Sequence, residues 1–221
     1  MELKGKTVNF LGDSITEGHG VAEIGRNRYD NRLRAMAGLK AVNNYGIGGT
    51  RLAYQSHAST PARNDLYFCG RAFSLDPAAD ITVVFGGTND YGHGDAPFGS
   101  MADQTPDTFC GAVEFLMTFL AEAYPATQII FLTPARRQGD LAPSPRAGAG
   151  RPLKDYCQVI LEKGREHGIP VLDLYERLGI DPNRPEDAAR YAPDGLHLND
   201  AGHGVLAALL LQFLQELQIG E

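Results

Sequence analysis

Five short apolar runs, partly β-branched, recur along the chain and constrain its fold more than any other feature. They cover Thr7 to Leu11, Ala41 to Tyr45, Ile81 to Phe85, Gln128 to Leu132 and Ile169 to Leu172. Runs of this length and composition predict five β-strands. Helix-like stretches lie between most of them, and this alternation predicts a parallel sheet that is covered by helices on both faces.

Three stretches outside the predicted strands have clear helical character. In Pro106 to Ala123 the apolar residues fall on one face at 3.6-residue spacing, and Thr105 with Pro106 is typical of a helix start. A second helix is predicted for Leu153 to His167. A third is predicted for Asp200 to Leu217, with Asn199 as its N-cap.

Two stretches lack this periodicity. Residues 50 to 77 are expected to form only short helical turns, and Arg136 to Pro152 is rich in Gly, Pro and Arg. The second stretch predicts a long mobile loop after the fourth strand, and loops of that length are often functional. Because no shift in composition and no internal repeat divides the chain, we expect one domain over residues 1–221.

Composition and charge exclude several classes of protein. With 43% hydrophobic and 21% charged residues and a mean hydropathy of −0.23, the chain is expected to be soluble and globular, not disordered. The 20 basic and 27 acidic residues give a net charge of −7, which argues against nucleic acid or an anionic membrane as the main partner. A small-molecule substrate fits better, and the oligomeric state stays open.

Cysteine usage and the N-terminal sequence indicate a compartment. Cys69, Cys110 and Cys157 lie far apart without paired spacing, so they are expected to be reduced and buried. The first residues have no features of a signal peptide, and no run approaches the ~18 apolar residues of a spanning helix. A cytoplasmic location is therefore expected, with no membrane span.

Small polar residues cluster where the predicted strands end. These clusters are Gly12 to Gly18, Gly46 to Thr50 and Gly86 to Asp90, and a fourth, Asp194 to Asn199, precedes the last helix. In an open parallel sheet, ligands bind beyond the carboxyl ends of the strands. A binding or catalytic site is therefore expected at these clusters.

The clusters contain the parts of an acyl-transfer site. Ser14 is a candidate nucleophile, and His197 is a candidate base, with Asp194 three residues earlier to fix its tautomer. Gly49 offers a backbone N–H without a Cβ in the way, and Asn89 offers a side-chain amide for an oxyanion. We expect the pKa of His197 near the ordinary ~6.5, displaced upward by the carboxylate.

The four clusters resemble, in order, the conserved blocks of the SGNH hydrolases, also called GDSL esterases and lipases. The matching segments are Gly12-Asp13-Ser14, Asn44 to Gly49, Gly87 to Asp90 and Asp194 to His197, and they span nearly the whole chain. The resemblance implies a flavodoxin-like three-layer α/β/α sandwich with a five-stranded parallel sheet. It also implies Ser14 as nucleophile, His197 as base, Asp194 as its orienter, and an oxyanion hole from the Ser14 and Gly49 amides with Asn89. Ile15 stands where the family usually has Leu, a conservative change.

Several polar residues have a structural interpretation beside the functional one. Asp13 and Asp90 are expected to accept backbone amides in their turns. Asp194, His197 and His203 form a conceivable metal-ligand set, but no further His or Cys ligand stands at a recognised spacing, so no metal and no cofactor are predicted.

Other residues leave both interpretations open. His167 at a predicted helix end needs no function. His93 either lines the pocket or belongs to a solvated loop. Substrate contact and an ordinary loop role remain equally open for Tyr91, Phe98, Arg136 and Arg137.

The preferred hypothesis is a serine ester hydrolase for short acyl groups, such as acetyl on a sugar or another polar alcohol. Only Leu141 is large and apolar in the Arg136 to Arg151 loop, so long acyl chains would find little apolar wall. A lipase or lysophospholipase-type esterase and an acyltransferase remain alternatives on the same fold. A non-catalytic phosphate-binding module is disfavoured, because neither G-x-G-x-x-G nor G-x-x-x-x-G-K-[ST] occurs.

Overall fold

A computed structural model of the protein describes residues 2–144 and 150–217. Its five strands are β1 (Thr7–Gly12), β2 (Ala41–Gly46), β3 (Ile81–Phe85), β4 (Gln128–Leu132) and β5 (Val171–Leu172). All pairings are parallel, and the strand order is β2-β1-β3-β4-β5. This order is that of a flavodoxin-like sheet, in which the ligand crevice lies between β1 and β3 where the winding reverses.

Ten α-helices connect and flank the described strands. They are α1 (Ser14–Glu17), α2 (Ile24–Asn27), α3 (Tyr29–Ala37), α4 (Phe68–Arg71), α5 (Thr88–His93), α6 (Phe109–Ala123), α7 (Leu153–His167), α8 (Leu174–Arg177), α9 (Pro185–Tyr191) and α10 (Asp200–Glu216). Two 3₁₀ turns, Ala62–Asp65 and Ala72–Ser74, complete the region from 50 to 77, which contains only short turns as predicted.

The helices cover the sheet on both faces, so the predicted three-layer α/β/α sandwich is confirmed. Alternate strand residues point to opposite sides. Leu11 and Val84 face the layer of α6 and α7. Phe10 and Val83 face the layer of α3 and α10. Because both faces are buried, the central strands are almost continuously apolar.

The predicted helix positions are largely correct, with one corrected start. α7 has the predicted bounds, and α10 begins after Asn199, whose side chain accepts the N–H groups of Ala201 and Gly202, but ends one residue early. α6 begins at Phe109, not near Pro106, because Thr108 caps it by accepting the Gly111 N–H.

The last strand is shorter than predicted. β5 contains only Val171 and Leu172, whereas a strand from Ile169 was expected. The Ile169 N–H is used to close the end of α7 on Gly164, so this residue belongs to the helix–strand connection.

The structure also describes the three cysteines and the membrane-spanning potential of the helices. Cys69, Cys110 and Cys157 are all buried free thiols, as predicted, and burial raises the pKa of Cys110 to about 11. None of the helices described by the structure combines the length and apolar composition needed to cross a bilayer.

Candidate active site

The first block of the site forms a tight turn from β1 into α1. Asp13 is the N-cap of α1, and its carboxylate accepts the Ile15 N–H at 3.0 Å, so its predicted structural role is confirmed. A Cβ on Gly12 would lie 2.0 Å from the Thr16 Oγ1, so only glycine fits there. Ser14 is the first helical residue, and its backbone N–H therefore has no partner within the helix.

The loop before α10 carries the histidine and its carboxylate. The Asp194 Oδ1 accepts the backbone N–H groups of Leu196 at 3.0 Å and His197 at 2.7 Å. Gly195 supplies the positive φ of +79° that this turn requires. The turn thus carries both groups on four residues, as the D-x-x-H spacing predicted.

Ser14, His197 and Asp194 form a continuous hydrogen-bonded relay. The Ser14 Oγ lies 2.9 Å from the His197 Nε2, although 183 positions separate the two residues. On the other side of the ring, the His197 Nδ1 lies 2.6 Å from the Asp194 Oδ2. Since a carboxylate only accepts, Nδ1 carries the proton and Nε2 is the acceptor when the imidazole is neutral.

For both titratable members of the relay, the effect of burial on the pKa is opposed by the interaction between Asp194 and His197. Partial burial would raise the pKa of Asp194, but its hydrogen bonds from His197 and Leu196 outweigh burial, so this pKa lies below the ordinary value. Burial lowers the pKa of His197 below 6.5, despite the adjacent carboxylate. The predicted upward displacement is therefore wrong, because the loss of hydration lowers the pKa of the ring more than the carboxylate raises it.

The glycine block lies directly beside the nucleophile. A Cβ on Gly48 would lie 3.5 Å from the Ser14 Cβ and 2.7 Å from the Glu17 Oε2. The Gly48 N–H donates to that same Glu17 oxygen at 2.8 Å. Gly49 has φ +76°, and a Cβ there would lie 2.5 Å from the Asn64 Oδ1. Gly49 is thus required by its positive φ, whereas a Cβ on Gly48 would displace the end of the Glu17 side chain.

The Asn89 block meets the glycine block. The Asn89 Nδ2 donates to the Thr50 carbonyl at 3.0 Å, which leaves its second hydrogen for another acceptor. The next residue, Asp90, accepts the N–H groups of Leu52 and Ala53, each at 3.0 Å, so its predicted loop-orienting role is confirmed. Burial raises the pKa of Asp90 to about 6.

Two residues that organise the site were not found by sequence reasoning. Glu17 holds the Gly48 amide and pairs with Arg63. Arg71 donates to the Tyr45 carbonyl, to the Gly12 carbonyl at 3.1 Å and to the Thr50 Oγ1 at 2.9 Å. Its guanidinium therefore ties the ends of β1 and β2 to the glycine block.

The structure corrects the conceivable metal-ligand set. His203 does not join Asp194 and His197, because it is buried under α3 and its Nδ1 accepts the Tyr29 N–H at 3.1 Å. His19 takes its place, and its ring centroid lies 4.2 Å from that of His197. In this group of three, the Asp194 carboxylate already accepts the hydrogen bond from the His197 Nδ1–H, which is the arrangement of a proton relay.

The four residues for which substrate contact and a loop role were both open all contact other groups of the protein. Arg136 pairs with Asp140 and Asp181, and Arg137 donates to the Thr88 carbonyl at 3.2 Å, so both have protein partners. The Tyr91 hydroxyl donates to the Gly139 carbonyl and thereby anchors the predicted loop. Residues 145–149 of that loop lie outside the described residues. Phe98 packs against the rings of Phe109 and Tyr156.

A cleft of about 570 Å³ opens beside the oxyanion candidates. Asn64, which lies over Gly49, and His93, which hydrogen-bonds Asn89, both line it. The lining residues are mostly polar and are Arg51, Gln55, His57, Ala58, Ser59, Thr60, Asn64, His93, Gly94 and Asp95. Of the two interpretations of His93, the structure favours the one in which it lines a pocket.

The chain thus combines a flavodoxin-like sheet with a Ser–His–Asp relay at the carboxyl end of β1. A model of the GDSL-like lipase/acylhydrolase family matches residues 10–205, and the chain belongs to this family.

Solved structures share this fold. A protein from Lactobacillus plantarum is 31% identical, with a TM-score of 0.82 over 96% of this chain and 98% of that one. A protein from Chitinophaga pinensis called a possible lipase is 22% identical, with a TM-score of 0.66 over 97% and 100%. One from Agrobacterium tumefaciens, named as a candidate arylesterase, is 22% identical, with a TM-score of 0.65 over 96% and 99%. A comparison with curated proteins found no significant match.

Proposed function

We propose that the protein is a serine esterase in which Ser14 is the nucleophile, His197 the general base and Asp194 the residue that orients it. The single observation that carries this proposal is the relay, with 2.9 Å between the Ser14 Oγ and the His197 Nε2 and 2.6 Å between the His197 Nδ1 and the Asp194 Oδ2. A serine becomes nucleophilic when such a base takes its proton.

The proposed reaction has two halves. The Ser14 Oγ attacks the acyl carbonyl while its proton passes to the His197 Nε2, and the tetrahedral intermediate then expels the alcohol, which takes that proton. Water attacks the resulting acyl-Ser14 ester, gives its proton to His197, and the acid leaves as Ser14 recovers its proton. Throughout, Asp194 accepts the Nδ1–H bond and stabilises the imidazolium that forms twice.

Three donors are proposed to stabilise the oxyanion. The Ser14 amide stands in the first turn of α1, where N–H groups lack helical partners. The Gly49 amide belongs to the glycine block beside Ser14, and the Asn89 Nδ2 keeps one hydrogen beyond its bond to Thr50. Donors of this kind act mainly on charge that develops in the transition state.

The cleft supports a small polar substrate. Its walls carry Ser59, Thr60 and Asn64, so an alcohol with several hydroxyl groups finds hydrogen-bonding partners there. An acyl chain gains ~0.8 kcal/mol per CH₂ only against apolar wall. We therefore propose short acyl groups, such as acetyl on a sugar or a similar polar alcohol, as the natural substrate.

Covalent labelling tests the nucleophile. A serine-directed fluorophosphonate should add one mass increment to the peptide that contains Ser14, and Ser14→Ala should lose both the label and the hydrolysis of p-nitrophenyl acetate. Ser74→Ala is the matched control, since Ser74 is exposed at the end of a 3₁₀ turn, and it should label and hydrolyse normally. Labelling or undiminished activity in Ser14→Ala would reject the proposal.

A further inference from the structure

Behind the proposed oxyanion amide, four polar side chains form a chain of hydrogen bonds. The Asn89 Oδ1 lies 3.2 Å from the His93 Nε2. The His93 Nδ1 lies 3.1 Å from the Arg51 Nη1, and the Arg51 Nη2 donates to the Asp65 Oδ1 at 3.0 Å. No member belongs to the Ser14 relay, and neither Arg51 nor Asp65 was a sequence candidate.

The chemistry of the guanidinium sets the direction of every bond in this chain. A guanidinium has donors and no acceptor, so the His93 Nδ1 must accept from Arg51. The imidazole is then neutral with its proton on Nε2, and that proton is donated to the Asn89 Oδ1. The amide of Asn89 is thereby fixed with its oxygen towards His93 and its nitrogen towards the Thr50 carbonyl.

Burial makes the chain electrostatically effective. The Arg51 side chain is only 3% exposed, while that of its partner Asp65 is 34% exposed, so the positive charge is the more buried member of the pair. Hydrogen bonds in series polarise one another, more strongly where water is excluded. The Arg51 cation, held by the more exposed Asp65, therefore draws electron density from His93 and, through it, makes the remaining N–H of Asn89 a better donor.

We propose that His93 and Arg51 are positioning residues that orient and polarise the Asn89 amide towards the oxyanion. This inference rests on the proposed esterase function, because it assigns the two residues a role only through Asn89. It also gives a role to an arginine that is buried although it lines the cleft.

Two substitutions of His93 separate a positioning role from a structural one. His93→Leu removes both hydrogen bonds and should lower kcat for p-nitrophenyl acetate by about tenfold with KM within about twofold. His93→Gln should restore most of kcat, because its amide oxygen accepts from Arg51 while its nitrogen donates to Asn89. His167→Leu is the control and should keep wild-type kcat. His167 lies at the end of α7 and bonds Glu114, and neither residue is part of the proposed site.

A double-mutant cycle with Asn89→Ala gives the decisive result. If His93 acts through Asn89, His93→Leu causes no further loss of kcat in the Asn89→Ala background. A second tenfold loss there, or a Gln variant no better than Leu, would overturn the positioning role alone. Wild-type kcat in Asn89→Ala would instead overturn the proposed oxyanion function itself, so the two failures are distinguishable.

A spectroscopic measurement keeps the inference testable if a variant does not fold. In the wild-type protein, ¹⁵N NMR of the His93 imidazole should show a protonated Nε2 and an unprotonated Nδ1. In Arg51→Lys, whose single ammonium replaces a planar fork, this tautomer should be less strongly favoured. A protonated Nδ1 in the wild type would contradict the assigned direction of the chain.

Discussion

The imidazole ring of His19 packs against that of His197, with 4.2 Å between ring centroids and 53° between ring planes. The approach depends on Gly20, which has φ +89° and where a Cβ would lie 2.8 Å from the Leu198 carbonyl. The contact covers one side of the proposed base. After burial and the opposing effect of Asp194, the charge of His19 further lowers the pKa of His197.

This contact predicts where the acid limb of the pH profile lies. Because His197 must be neutral to take the serine proton, kcat/KM should rise with pH through a midpoint below the ordinary histidine value of ~6.5. His19→Asn removes the repulsive charge and part of the cover, so the midpoint should move to higher pH. Initial rates from pH 4 to 9 check both statements.

The direction of the change is the discriminating feature. A midpoint that moves to lower pH in His19→Asn would contradict the electrostatic role of His19. His57→Asn is a suitable control, because His57 pairs with Asp95 on the cleft wall and its side chain is 87% exposed. It should leave the midpoint unchanged.

Asn89→Ala should lower kcat by about 10²- to 10³-fold with little change in KM, as the loss of one oxyanion donor does. The amide is held by Thr50 and His93 before substrate arrives, so it acts without reorganisation. Steady-state kinetics with p-nitrophenyl acetate measure the effect, and circular dichroism confirms that the variant is folded. A loss confined to KM would mean that Asn89 binds the ground state.

Much of this site was accessible from sequence because its parts are local. Asp194 and His197 lie on one turn, and their mutual bonds follow from the spacing. The five strands were accessible for the same reason, since apolar runs that are buried on both sides leave a continuous signal. The meeting of Ser14 with His197 required the additional knowledge that both segments reach the same edge of a parallel sheet.

What sequence reasoning missed depends on tertiary contacts. Arg71 and Glu17 act on backbone groups of the strand ends and the glycine block, and such partners have no side-chain signature. The direction of the His197 pKa was misjudged because the cover by the His19 loop comes from folding. The start of α6 was misplaced because Thr105 and Thr108 are equivalent as caps in sequence, and only Thr108 reaches a free N–H.

Acyl chain length tests the proposed substrate class. In a p-nitrophenyl ester series, kcat/KM should be highest at acetate or butyrate and should fall by decanoate, because the described residues that line the cleft include no large apolar side chain to pack against the added methylenes. Leu141, 70% exposed, is the one large apolar residue of the described loop after Arg136, and Leu141→Ala should leave this profile unchanged. A maximum at decanoate that Leu141→Ala abolishes would favour a lipase.

The buried carboxyl group before the nucleophile predicts a pH-dependent stability. Asp13 is 1% exposed, and burial, with the nearby charge of Asp90, raises its pKa to about 7 despite the hydrogen bond from the Ile15 amide. In the unfolded chain this pKa is about 3.9. Between these values the folded protein holds a proton that the unfolded chain has lost, so the free energy of unfolding contributed by Asp13 falls as pH rises from about 4 to about 7.

Asp13→Asn removes this dependence while it keeps the oxygen that caps α1. The variant should therefore gain stability relative to the wild type as pH rises, by an amount on the order of a few kcal/mol between pH 5 and pH 8. Asp90 is present in both proteins, so the difference reports on Asp13 together with its interaction with Asp90. Urea unfolding at both pH values measures it, with Asp107→Asn, an exposed carboxyl, as the control that should show no such gain. An equal stability difference at pH 5 and pH 8 would mean that Asp13 is already ionised in the folded protein.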